Sequence, residues 1–158
     1  MSVLGELQPN KVFKYFEEIC SIPHGSRNLQ QISDYLVDFA KAHELKYRQD
    51  EDLNVIIWKD GSKGYEASEP VILQGHMDMV AVKEADCDKD MEKEGLDLEI
   101  NGDYISAKGT SLGGDDGIAV AYTLAVLDDE EMAHPPIEAI FTVNEELLMF
   151  QILRDVYL

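Results

Sequence analysis

Two stretches in the first third of the chain carry apolar residues at helical spacing. The first, Asn10–Cys20, follows Pro9, a residue that suits a helix start. The second begins at a capping pair, Asn28 with Gln31, and extends to about Glu44. The two apolar stripes consist of Phe13, Phe16, Ile19 and Cys20, and of Ile32, Leu36, Phe39 and Ala40. The pattern predicts two helices that each bury one face.

Strand and turn patterns follow. Leu53–Lys59 is rich in β-branched and aromatic residues, which predicts a strand. Val71–Leu73 is a continuous apolar run between Pro and Gly, as expected of a short strand covered on both faces. Asn101–Gly102 separates LDLEI from DYISA, a signal of a β-hairpin. Ile137–Val143 is a further predicted strand.

Two segments connect these strands. Lys83–Glu94 is almost entirely charged and lacks the regular ligand spacing of a calcium loop, so we interpret it as a solvated loop. The Gly-rich segment GTSLGGDDG opens directly into a helix whose apolar positions are Val120, Ala121, Leu124 and Leu127. Together the elements predict an α/β fold in which a mixed β-sheet is flanked by helices.

Composition and charge narrow the class of protein. The 158 residues are 45% hydrophobic and 28% charged, as in globular domains, and the formal net charge of −19 disfavours nucleic acid and anionic membranes as partners. No apolar run approaches the roughly 18 residues of a membrane span, and the N-terminus lacks a signal-peptide pattern, which predicts a cytoplasmic protein. Two isolated cysteines, Cys20 and Cys87, do not form a disulfide framework.

The residues that could carry out chemistry lie at the ends of three separate predicted strands or loops. They are His76 and Asp78, Asp115 and Asp116, and Glu145 and Glu146. In open α/β sheets ligands bind at the carboxyl ends of strands, and carboxylates gathered there repel one another unless a cation neutralises them. A histidine among carboxylates suits zinc or manganese. One glutamate could bind the metal while its neighbour accepts a proton from water.

Each motif taken alone also has an ordinary structural explanation. His76 could be a turn histidine bonded to a nearby aspartate, and Asp115 with Asp116 could stabilise a helix N-terminus. The glutamate pair could lie in a solvated loop. For two further histidines, His24 in a loop and His43 near a helix end, we favour structural roles.

Three motifs stand in the order and spacing of the metal-site motifs of the di-zinc exopeptidases, namely GHMDMV, GTSLGGDDGIAVAY and FTVNEE. This family includes aminoacylases, peptidase T and the cytosolic dipeptidases, and FEEICSIPHGS and RQDEDLNVII resemble the dipeptidases too. The resemblance spans Pro9 to Glu146. It implies a metallopeptidase that hydrolyses Xaa-His and related dipeptides, uses two Zn2+, or Mn2+ or Co2+ instead, and is homodimeric when intact.

The resemblance also implies residue roles. His76 would bind one zinc, Asp115 would bridge both, and Glu146 would bind the other. Asp78 would support His76, and Glu145 would be the general base. A cis peptide bond would join Asp115 to its neighbour.

The resemblance ends abruptly after the glutamate pair. Residues 1–146 match the N-terminal portion of the catalytic domain, whereas 147–158 form an atypical apolar tail, as a shifted reading frame or a truncation would produce. On this interpretation we expect the chain to lack the family's lid or dimerisation domain and its remaining zinc ligands. Each zinc would therefore lack one protein ligand, so we expect the chain to hold zinc weakly and hydrolyse dipeptides negligibly.

Other functions are also compatible with the sequence. A non-catalytic metal-binding or interaction module is one alternative, because a partial sheet exposes strand edges and apolar surface. A deacylase or a tripeptidase would share the same metal site. A phosphatase with an aspartate nucleophile is disfavoured, since it would need aspartate in place of His76.

Overall fold

Two helices, five strands, a third helix and a sixth strand follow one another in the computed structural model, which describes residues 2–146. The helices are α1 (Asn10–Cys20), α2 (Gln30–Ala42) and α3 (Gly114–Leu127). The strands are β1 (Lys46–Gln49), β2 (Val55–Lys59), β3 (Val71–His76), β4 (Leu98–Asn101), β5 (Tyr104–Ala107) and β6 (Ile137–Thr142). Within this part of the chain no helix combines the length and apolarity needed to cross a membrane. The predicted apolar tail, 147–158, lies outside the described residues.

The main sheet has the strand order β1-β2-β6-β3. β1 pairs with β2 and β2 with β6 in antiparallel fashion, whereas β3 and β6 run parallel. The sheet is therefore mixed, and the predicted α/β fold class is confirmed. Because β3 and β6 run in the same direction, both end at one edge of the sheet.

One hydrophobic core joins the helices to a single face of this sheet. β6 alternates strictly between buried and half-buried positions, as a strand with one covered face does. Its buried side chains are Ile137, Ala139 and Phe141, and β2 adds Val55 and Ile57. The core positions predicted for the three helices are buried except Phe13, which packs partly buried at the core margin.

The central apolar run was wrongly predicted to be covered on both faces. β3 is an edge strand, and Val71 and Ile72 remain 44% and 60% exposed. Its last two residues, Gly75 and His76, are buried. An apolar run identifies a strand, but it carries no information on whether a neighbour pairs with its second edge.

Helix α2 begins without the predicted cap. Leu29 is the N-cap residue and makes no side-chain cap bond, whereas the Asn28 amide donates to the main-chain oxygen of Glu92, 2.8 Å away. The helix ends at Ala42 rather than Glu44, where the backbone has a φ of 55°. The Asn28 side chain thus makes a long-range hydrogen bond and does not cap the helix as local rules had predicted.

The segment between α2 and β2 was predicted incompletely. β1 was not predicted, because its four residues are mostly exposed and charged or polar. β2 starts at Val55 and not at Leu53, whose φ is 74°. The Asp50 carboxylate accepts hydrogen bonds from the main chain and side chain of Asn54, which closes a turn where a longer strand was expected.

The hairpin prediction is confirmed, with its turn shifted by one residue. Asn101 pairs with Tyr104, so the two loop residues are Gly102 and Asp103. Gly102 has a φ of 62°, a conformation that glycine adopts without steric cost. The charged segment 83–94 contains no helix or strand, and both cysteines are free.

Candidate metal centre

The parallel pairing of β3 and β6 brings two of the sequence motifs together. His76 is the last residue of β3 and lies opposite Thr142 of β6. Beyond β6 the chain turns at Asn144, which has a φ of 60°, and then presents Glu145 and Glu146. The third motif enters from α3, which contacts β3 and carries Asp115 in its first turn.

Three predicted metal ligands meet at this edge. His76, Asp115 and Glu146 each offer one ligand atom, and these atoms all lie within 4.8 Å of one another. We refer to these three side chains as the ligand cluster. Asp116 lies outside it, and its Oδ2 accepts a 3.2 Å hydrogen bond from the main-chain N–H of His76. The Asp115–Asp116 peptide bond is cis, as the resemblance implies.

The orientation of the His76 ring is fixed through its second nitrogen. Nδ1 lies 2.9 Å from the main-chain oxygen of Asp78, which can only accept, so Nδ1 carries the proton in the neutral ring. The lone pair on Nε2 then faces Asp115 Oδ1 at 3.2 Å, with Glu145 Oε2 at 3.9 Å. This arrangement places three electron-rich atoms together and favours a cation between them.

The pKa values of His76 and Glu146 also show that the cluster favours positive charge. Burial alone would lower the pKa of His76, but the hydrogen bonds to Asp115 and to the Asp78 carbonyl, with the nearby carboxylates, raise it above its usual value. The pKa of Glu146 is also raised, first by burial and then by the charges of Asp115, Glu145 and Asp78 against an opposing effect of His76. In both cases the folded site favours positive charge more than the unfolded chain does, and a metal ion could supply that charge.

Asp78 connects the separate segments of the site. Its carboxylate is buried, and Oδ1 accepts from the Glu145 N–H at 3.0 Å while Oδ2 accepts from the Glu146 N–H at 3.2 Å. Oδ2 also accepts a 2.9 Å hydrogen bond from the hydroxyl of Ser26. Asp78 therefore holds the turn that presents both glutamates, and it contacts the His76 ring chiefly through its main-chain oxygen.

Sequence reasoning did not identify Ser26. The residue lies in a Pro- and Gly-containing break some fifty positions before Asp78, and nothing in its local pattern marks it as a partner of the site. The two other histidines considered lie outside the ligand cluster. His24 is buried with Nδ1 bonded to the main-chain oxygen of Ile22, and the His43 ring packs against Phe39.

The donor set fits zinc. One imidazole nitrogen and two carboxylate oxygens are ligands that zinc commonly takes, and Nδ1 of His76 already has the hydrogen-bonded partner typical of a metal-binding histidine. Asp115 is 88% exposed in its side chain and can bind an ion at the mouth of the site. Glu145 lies beside the cluster, within reach of His76 but outside the ligand set.

Comparison with known proteins gives two related peptidases. The chain is 40% identical over 146 residues to the cytosol non-specific dipeptidase of Escherichia coli K12, which covers 92% of the chain and 30% of that relative. The aminoacylhistidine dipeptidase of Vibrio alginolyticus has a TM-score of 0.87 at 39% identity, over 90% of the chain and 29% of its own length. The resemblance predicted from the sequence is thereby confirmed. The chain spans about 30% of the length of the curated relative.

A more distant structure shares the fold alone. A tripeptidase from Staphylococcus aureus matches with a TM-score of 0.71 at 24% identity, over 90% of the chain and 38% of its own length. No protein-family profile matches the chain. The relatives named here are peptidases, and the described residues adopt the fold that they share.

Proposed function

We propose that the chain belongs to the di-zinc exopeptidases and contributes the metal centre of a dipeptidase. The observation that carries this proposal is the convergence of His76, Asp115 and Glu146 within 4.8 Å at the edge where two parallel strands end. The 40% identity to a dipeptidase over nearly the whole chain supports it. Zinc is the metal we propose, with two ions in the intact site and manganese or cobalt as substitutes.

Each residue of the site has a distinct role in this proposal. His76, Asp115 and Glu146 would hold the metal. Zinc bound there would supply a Lewis acid that activates water and polarises the scissile carbonyl. Glu145, which lies beside the ligand cluster without belonging to it, would accept the proton from the attacking water and return it to the leaving amine.

Asp78 is a positioning residue in this scheme. Its carboxylate accepts from the main chain of Glu145 and Glu146, so it sets where the base lies relative to the metal ligand. Its main-chain oxygen fixes the His76 tautomer that leaves Nε2 free for metal. We propose Xaa-His and related dipeptides as substrates, supported by the name of the Vibrio relative. We also propose a cytoplasmic location, supported by the name of the Escherichia coli relative. A homodimeric intact enzyme is proposed from the family resemblance alone.

A chimeric enzyme tests the catalytic assignment. Residues 1–146 replace the matching segment of the Vibrio dipeptidase, and hydrolysis of Xaa-His dipeptides is measured after zinc loading. We expect activity, and we expect Glu145→Gln to lower kcat by about a hundredfold or more because a positioned general base contributes about that factor. Glu138→Gln is the matched control, since Glu138 bonds to Trp58 away from the ligand cluster. Full activity of the Glu145 variant would remove the assigned base.

A second candidate function is that of an interaction module. It is favoured by the edge strand β3, where Val71 and Ile72 are exposed, since such edges commonly pair with another chain. Size-exclusion chromatography with light scattering separates the candidates. A concentration-dependent dimer that Ile72→Lys dissolves would support the module, and a monodisperse monomer would argue against it.

A further inference from the structure

A large open cleft adjoins the ligand cluster. It has a volume of ≈ 1160 Å³ and its wall includes Glu146, one of the three proposed metal ligands. Other parts of the wall come from the loop that precedes α2 and from the charged segment 83–94. A dipeptide whose scissile bond lies at the metal would extend into this space, because the cleft and the cluster share Glu146.

The loop before α2 is fixed to the metal centre by several bonds. The Ser26 hydroxyl donates to Asp78, and the Ser26 N–H donates to the main-chain oxygen of Met79 at 3.2 Å. The Met79 N–H in turn donates to the His24 oxygen at 3.2 Å. A side chain at Gly25 would place its Cβ 2.7 Å from that of Ala81, so glycine permits this close approach.

This anchored loop carries Arg27 on the wall of the cleft. Arg27 has a φ of 74°, a backbone conformation uncommon for a residue other than glycine. The side chain is exposed and makes no ion pair or hydrogen bond with any residue between 2 and 146. Residues held in sparsely populated backbone conformations cluster at ligand-binding positions, and here the surrounding bonds hold the loop in place.

The other basic side chains of the cleft are already occupied. Lys89 pairs with Asp97 at 3.1 Å, Lys93 pairs with Asp90 at 2.8 Å, and Lys83 donates to the main-chain oxygen of Lys89 at 2.7 Å. Arg27 is therefore the one cationic group on this wall that has no such contact within residues 2–146. In a chain of net charge −19, an arginine without such a contact, in a cleft that a proposed metal ligand also lines, marks a place for an anionic group of a ligand.

We propose that Arg27 binds the C-terminal carboxylate of the dipeptide substrate, an inference that rests on the function proposed above. The guanidinium group presents parallel N–H donors that match a carboxylate in two-point contact. Since Ser26 ties the loop to Asp78, and Asp78 holds the glutamate turn, hydrogen bonds connect the loop that carries Arg27 to the proposed metal centre. Arg27 would thus select short peptides with a free C-terminus.

Binding of a free-acid peptide and its amide tests this assignment. The purified chain, with and without zinc, is titrated with L-alanyl-L-leucine and with L-alanyl-L-leucinamide, two peptides without a metal-binding side chain. The variants are Arg27→Gln, Arg27→Lys and the control Arg48→Gln, which changes an exposed arginine of β1 away from the cleft. We expect the free acid to bind the wild type about tenfold more tightly than the amide, the scale of one charge-assisted contact.

In Arg27→Gln the affinity for the free acid should fall to that for the amide, whereas Arg27→Lys should retain part of the preference and Arg48→Gln all of it. Equal affinity of the wild type for acid and amide would overturn the proposal, and so would the absence of saturable binding of both. If Arg27→Gln fails to fold, the wild-type comparison and Arg27→Lys still decide. A parallel zinc titration separates the two proposals, because zinc binding without an acid preference contradicts only the role of Arg27.

Discussion

At the scale of single residues, the site is organised around a buried carboxylate more than around its metal ligands. Asp78 receives hydrogen bonds from the Ser26 hydroxyl and from the main chain of both glutamates. The sequence could identify Asp78 and the ligands because each follows a strand or opens a helix, and because their motifs resemble a known family. Ser26 could not be identified, since its contact depends on how a distant loop folds back.

Ser26→Ala should weaken zinc binding about tenfold, the lower end of the range seen when residues behind metal ligands are removed. The physical reason is that Asp78 loses one of its three donors and holds the Glu146 turn less firmly. Zinc affinity is measured by competition with a chromogenic chelator. Ser106→Ala is the matched control, because its hydroxyl donates to Glu99 at 3.1 Å in the β4–β5 hairpin. Equal zinc affinities of the two variants would show that Ser26 has no positioning role.

At the scale of secondary-structure elements, local patterns located helices well and their ends less well. α1 has the bounds that periodicity predicts, since its first turn needs no long-range partner. The predictions of the α2 cap and of the β2 start were wrong for the same reason. In both places a side chain bonds outside the element that local rules assign to it, namely Asn28 to Glu92 and Asn54 to Asp50.

The hydrogen bonds of Asp50 stabilise the turn between β1 and β2. Asp50→Ala should lower the free energy of unfolding at pH 7 by about 1–2 kcal/mol, because main-chain donors of Asp52 and Asn54 lose their acceptor. Hydrogen bonds from Asn54, foremost that of its side chain, lower the pKa of Asp50. A lowered pKa gives stability that is present above the unfolded pKa and lost as the pH falls through the folded one.

The difference between wild type and Asp50→Ala, measured by urea denaturation, should therefore shrink as the pH is lowered from about 5 to 2. Asp52→Ala serves as the control, since that exposed side chain accepts no hydrogen bond within residues 2–146. A difference that is independent of pH would show that the turn does not depend on the charge of Asp50.

At the scale of the whole molecule, the sheet has one well-covered face, and the strand β3, which was predicted to be covered on both faces, lies at its edge. The mixed α/β class followed from the order of elements, and the comparisons confirm it. The position of β3 at the edge could not be predicted, because strand order depends on pairings between segments far apart in the sequence. Its apolar residues consequently differ in burial from those of β2, which pairs on both sides.

Two isoleucines test this asymmetry. Ile57 of β2 is fully buried, so Ile57→Ala should cost about 2–5 kcal/mol of unfolding free energy through lost burial and a residual cavity. Ile72 of β3 is 60% exposed, so Ile72→Ala should cost less than about 1 kcal/mol, chiefly from strand propensity. Both values come from urea denaturation at one pH. Similar losses for the two variants would indicate that β3 is covered in solution.

The central claim is that His76, Asp115 and Glu146 form one metal site, and calorimetric zinc titration of the chelator-treated chain tests it most directly. We expect saturable binding, and the number of protons released should rise as the pH is lowered, because the pKa values of His76 and Glu146 are both raised without metal. His76→Ala, Asp115→Ala and Glu146→Ala should each weaken binding by about tenfold or more, while His43→Ala, outside the cluster, should bind as the wild type does. Absence of zinc binding, or equal affinity of the His76 and His43 variants, would contradict the assignment.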